Sequence, residues 1–143
     1  MDNERGDMVD TTATTDSPAR LYAKIVGVTV LLVGIVGVIL GDPKDGLLGL
    51  FNIDIVEDII HLGTGGLLTY VGFKGTNAMV KSTVTLLGVV YLIVGVVGFF
   101  LPELFGLIPH DYDLADNILH LTLGALALFS VSGNAAKERT ATI

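Results

Sequence analysis

From Ser82 to Pro102 the chain has no Asp, Glu, Lys, Arg or His. As a helix at about 1.5 Å per residue, such a stretch is roughly 30 Å long, the thickness of a bilayer's hydrocarbon core. In lipid its backbone must satisfy its own hydrogen bonds, which leaves helix as the reasonable state. A soluble helix of this length needs a wet face, and this one has none. The charges of the 143-residue chain gather outside a few such runs, and its mean hydropathy is +0.71.

Four spans follow from that pattern: about Leu21–Leu40, Asp54–Phe73, Ser82–Leu101 and Asp113–Val131. The second and fourth are less apolar and read as partners within a bundle. Residues 1–18 have little apolar surface to bury and read as a disordered cytoplasmic tail, residues 19–132 as the membrane domain, and residues 133–143 as a cytoplasmic C-terminal tail. Arg5, Arg20, Lys24, Lys74, Lys81, Lys137 and Arg139 flank one side of the spans, and Lys44 alone flanks the other. Cytoplasmic segments retain Lys and Arg, so both termini are expected inside. The outer loops, 41–53 and 102–112, combine turn residues with apolar patches suited to the interface or to a partner.

The halves repeat. Gly27, Gly34 and Gly37 recur, with the same mutual spacing, as Gly88, Gly95 and Gly98. The segment Asp54-Ile-Val-Glu-Asp-Ile-Ile-His-Leu recurs in the second half as Asp113-Leu-Ala-Asp-Asn-Ile-Leu-His-Leu. Each copy holds two spans, so the copies insert with the same orientation. The expected fold is an all-α integral membrane four-helix bundle, made of two tandem hairpins (about 20–73 and 81–131) related by a pseudo-twofold along the membrane normal. Gly27, Gly34 and Gly41 are heptad-spaced with Gly37 on the same face, and Gly88, Gly95 and Gly98 repeat the stripe. Small residues let helices approach closely in lipid, so these glycines read as packing positions.

The paired acid–histidine segments hold the chain's remaining chemistry. Asp54 and Asp113 read as helix caps, with Glu57 and Asp116 three positions on. Asp58 and His61, like Asn117 and His120, fall on one helical face. The simplest reading is structural, with each histidine hydrogen-bonded inside the bundle. The alternatives are a divalent-metal site, haem ligated by His61 and His120 in the room left by Gly63, Gly65, Gly66 and Gly124, or proton handling. No cofactor is required by the pattern, and no nucleophile with a paired base stands out, so an enzyme is disfavoured. Without cysteine, thiol ligation and disulfides are excluded, and a net charge of −7 argues against nucleic acid.

These segments carry a resemblance. The chain resembles, over about Arg20–Ser132, a family of small prokaryotic four-span membrane proteins without assigned activity. Members show an Asn-x-x-His-Asn-x-x-His-Leu-like motif before span two and Ala-Asp-Asn-x-Leu-His-Leu before span four. Ala115-Asp116-Asn117-Ile118-Leu119-His120-Leu121 keeps the second motif, whereas Glu57 and Asp58 stand where the first tends to show His and Asn. The resemblance implies fold, topology and a place in the plasma membrane of a prokaryote, and no mechanism. Tightly packing helices, minimal soluble segments and the lack of a complete chemical site point to a structural or accessory membrane protein that packs with itself or with a membrane-protein partner.

Overall fold

The computed structural model describes residues 16–40, 55–101, 105–106 and 114–140, and the side chains of all of these except 134–140. The described residues form four helices: α1 (Pro18–Leu40), α2 (Ile55–Lys74), α3 (Asn77–Val97) and α4 (Leu114–Thr140). Asp54, Asp113, Gly41 and the greater part of segments 41–53 and 102–112 lie outside the described residues.

Local signals set the ends at the basic side. Proline opens α1, where its missing N–H costs nothing, and the Ser17 hydroxyl accepts the Arg20 N–H at 3.2 Å. Gly75 and Thr76 join α2 to α3. The Gly75 N–H closes α2 on the Val71 carbonyl, and the Thr76 side chain caps α3 by accepting from the Met79 nitrogen. That cap starts α3 at Asn77, ahead of the expected Ser82, with Lys81 carried inside the helix. The helix also stops earlier than expected, at Val97, where Gly98 caps it and residues 98–100 turn. At the other end, α4 continues to Thr140, through the segment read from sequence as a tail.

Arg20 fastens this end. Its guanidinium donates to the Gly72 and Gly75 carbonyls at 3.0 and 2.9 Å, and to Asn77 Oδ1 at 2.8 Å. The first two acceptors are carbonyls at the C-terminus of α2, which lack helical partners and lie at the negative end of its dipole. One cation thus ties the start of α1 to the α2–α3 turn.

The most extensive helix contacts are α1 with α2 and α3 with α4. Smaller ones join α1 to α3, α1 to α4 and α2 to α3, while α2 and α4 are not in close contact among the described residues. An apolar core of Ala19, Tyr22, Ala23, Leu68, Val80, Val84, Leu87 and Ala127 lies toward the basic end. Large apolar side chains face outward all round, among them Ile25, Leu32, Ile39, Ile59, Phe73, Leu86, Ile93 and Phe129. A soluble monomer does not expose so continuous an apolar surface. By length and composition, α1, α3 and residues Leu114–Gly133 of α4 can each cross a membrane. The α2 helix is of similar length, but Glu57, Asp58 and His61 make it less apolar.

Candidate functional site

Glycine sets the spacing within each hairpin. An added Cβ on Gly34 would lie 2.9 Å from the Leu62 nitrogen and 3.0 Å from the Asp58 carbonyl oxygen. On Gly95 it would lie 2.9 Å from the Leu121 nitrogen and 3.0 Å from the Asn117 carbonyl oxygen. Reciprocally, Gly65 receives Leu31, and Gly124 receives Leu92. Gly27 meets Leu68 and Thr69, and Gly88 meets Ala127 and Leu128. Every described stripe glycine is therefore in contact with a neighbouring helix. Gly65 and Gly124 are filled by α1 and α3, and Gly63 and Gly66 look onto open space.

The polar residues follow the same geometry. The Asp58 carboxylate lies directly over Gly37, and the Asn117 amide oxygen directly over Gly98. Both approach a glycine Cα, the arrangement of a weak Cα–H···O contact, and its recurrence makes that contact worth naming. Glu57, Asp58, Asp116 and Asn117 are only 5, 3, 6 and 3% exposed. The polar residues near the start of α2 and α4 turn inward, while Ile55, Ile59, Leu114 and Ile118 turn out.

Asp58 lies on the α1 seam and the His61 Cβ stands on it too, against Gly34, while Glu57 and Thr64 flank His61 by one turn on either side along α2. On α4 the corresponding row is Asp116, His120 and Leu123. The His120 Nδ1 atom lies 2.7 Å from the Asp116 carbonyl oxygen. A carbonyl can only accept, so Nδ1 donates, and in the neutral ring Nε2 carries the lone pair.

These rows meet at Tyr91 of α3. Its ring packs edge-on against His120, with centroids 5.8 Å apart at 64°. Thr64 of α2 adjoins its hydroxyl, and Tyr22 of α1 approaches from the basic end. The Tyr22 hydroxyl donates to the Leu123 carbonyl of α4 at 2.9 Å, whereas the buried Tyr91 hydroxyl lies beside Thr64 without a well-formed hydrogen bond. All four helices thus contribute to one polar centre beneath the acid–histidine turns.

Sequence spacing singles out neither Tyr91 nor the tie made by Arg20. Tyr91 lies three residues after Gly88 and four before Gly95, on the buried stripe, and that register is the available signal. The recurring glycine register hides it, because the residue at the corresponding place before Gly34 is Val30. Among the described residues no three of His, Asp and Glu come together as ligands for a metal ion.

Long helices with an apolar exterior, joined around buried polar side chains, define an all-α domain with at least three helices able to cross a membrane. Residues 20–132 match a domain of unknown function, DUF4383, and the chain belongs to that family. No curated protein and no solved structure is significantly similar to it.

Proposed function

We propose that the chain is a four-span structural or accessory protein of a prokaryotic plasma membrane, with both termini in the cytoplasm. It is built as two tandem hairpins about a pseudo-twofold along the membrane normal, and acts by packing with itself or with a membrane-protein partner. One observation carries this reading. The seam in which glycines receive a partner helix, closed by a polar side chain over the last glycine, occurs at matching positions of both hairpins. Those side chains meet backbone, which is the work of holding helices together in lipid. The α2 helix suits a fourth span because its acids are buried and its outer face is apolar. In a bundle the acids meet protein rather than hydrocarbon.

Topology is tested by labelling with a membrane-impermeant thiol reagent. Lys44→Cys should react from outside intact cells, and Lys74→Cys only after permeabilisation. The reverse pattern would sink the orientation. The accessory role is tested by the mass of the particle extracted in its native lipid. A particle larger than one chain supports it, whereas a monomer holding stoichiometric metal or haem overturns it.

A second reading, proton handling, is favoured by the buried Tyr91 hydroxyl, which lies beside Thr64 without a well-formed hydrogen bond while its ring packs on His120. It expects dissipation of an imposed pH gradient in reconstituted vesicles and loss of that activity in Tyr91→Phe. Vesicles that hold the gradient would dismiss it.

A further inference from the structure

The outer face of α3 carries a shallow, open groove of about 590 Å³ lined by Ala78, Lys81, Ser82, Thr85, Leu86 and Val89. We propose that it is a binding site for an anionic phospholipid, whose phosphate meets Lys81 and Ser82 and whose acyl chain runs along Thr85 to Val89.

Charge is the first argument. Arg20, Lys24, Lys74 and Lys81 share one end of the bundle, but they are not equivalent. Arg20 is turned into the α2–α3 turn. Lys24 pairs with Asp16 at 2.6 Å and lies over the Phe73 ring. Lys81 is exposed, has no ion pair among the described residues and stands at the mouth of the groove. Its counterpart in the first half, by the register of the glycine stripes, is Arg20. The second copy keeps a cation at this position, but no described turn engages it, so the charge is available to a headgroup. Anionic lipids concentrate in the cytoplasmic leaflet and attract such cations.

Shape is the second argument. Ser82 and Thr85 occupy the places that Leu21 and Lys24 hold in α1, and the smaller side chains hollow the α3 face. Thr85 donates its hydroxyl to the Lys81 carbonyl at 2.8 Å and so demands nothing of a ligand. The Ser82 hydroxyl is exposed and remains available. From Ala78 to Val89 the lining descends about 16 Å, close to the depth of one leaflet's hydrocarbon. The gradient from cation through hydroxyl to aliphatic matches a phospholipid read from headgroup to tail.

The proposal rests on the membrane reading above, and the two can fail separately: a chain absent from the membrane fraction sinks that reading before any lipid is compared. The full-length protein is purified in neutral detergent, then melted by circular dichroism with phosphatidylcholine or with phosphatidylglycerol. Phosphatidylglycerol should raise the melting temperature more than phosphatidylcholine and remain as an adduct in native mass spectrometry. Lys81→Gln and Ser82→Leu should at least halve the difference between the two lipids. Lys74→Gln, the same charge change at the same end outside the groove, should preserve it. Equal stabilisation by the two lipids overturns the proposal with the wild type alone. So does a loss in Lys74→Gln matching that in Lys81→Gln, or equal stabilisation by inorganic phosphate.

Discussion

The carboxylate of Asp58 occupies the place where a side chain at Gly37 would be. Glycine there is the condition for α2 to bring an acid against α1, and Asn117 makes the same demand of Gly98. Gly37→Ala and Gly98→Ala should therefore each destabilise the bundle by about 1–3 kcal/mol, the usual cost of overfilling a packed site. Gly63→Ala and Gly66→Ala, where an added Cβ meets nothing, should be neutral or should stabilise by up to ~1 kcal/mol through helix propensity. Thermal unfolding of the four variants in one detergent measures the contrast. Equal losses at all four positions would mean that the seam is not what holds the hairpins.

The two seams differ in the group that closes them: a carboxylate in the first stands where an amide stands in the second. Asp58→Asn converts the first copy into the chemistry of the second with almost no change of shape. It is expected to shift stability by no more than about 1 kcal/mol. Asp58→Leu removes both oxygens and places branched bulk against Gly37, and should cost more, about 2–3 kcal/mol by overpacking. The same unfolding assay separates them, and a larger loss in Asp58→Asn would show that the charge itself is required at this contact.

Much of this arrangement was legible in the sequence, for a physical reason. Helices able to cross a membrane must be long, apolar and internally hydrogen-bonded, so α1 and α3 stand out by composition alone. Gly27, Gly34 and Gly37 share a face because of the helical period, and their recurrence at Gly88, Gly95 and Gly98 marks the contact stripe before any contact is seen. Boundaries were less legible: the Thr76 hydroxyl and the Gly98 cap moved both ends of α3 toward the N-terminus by about a turn. Partners across helices could not be read at all. Sequence spacing puts Asp58 and His61 on one face, but which neighbour that face meets depends on how the hairpins dock. Tyr91 is hidden because it breaks the repeat, and the role of Arg20 because its bonds reach the far end of α2 and the start of α3, distant in sequence.

Arg20 makes a prediction that charge alone would miss. Its three hydrogen bonds cap the last turn of α2 and engage Asn77. Arg20→Ala should cost about 2–4 kcal/mol, given ~1.5–3 kcal/mol for a single bond to a charged group and partial exposure here. Arg20→Lys keeps the charge but replaces a planar fork with a single ammonium, and should restore less than half of the loss. Hydrogen exchange offers the local check. Amides of Val71 to Lys74 should exchange faster in both variants, whereas those around Gly34 keep their protection. Full recovery in Arg20→Lys would reduce the residue to a generic basic flank.

The two buried tyrosines test whether the polar centre is structural, because their hydroxyls differ in satisfaction. Tyr22 donates to the Leu123 carbonyl, and Tyr22→Phe should cost about 1 kcal/mol, the net worth of one such bond. The Tyr91 hydroxyl is buried beside Thr64 without a well-formed hydrogen bond, and Tyr91→Phe keeps the ring against His120 while removing a desolvated oxygen. Stability should then hold or rise by up to ~1 kcal/mol. A polar group whose removal stabilises the fold is retained for something other than the fold, so that outcome would direct attention to the second reading. If Tyr91→Phe destabilises as much as Tyr22→Phe, the hydroxyl is engaged in the folded protein, and the centre works as a polar lock between hairpins. Comparing the two melting curves decides between a site that holds the helices together and one that the helices hold.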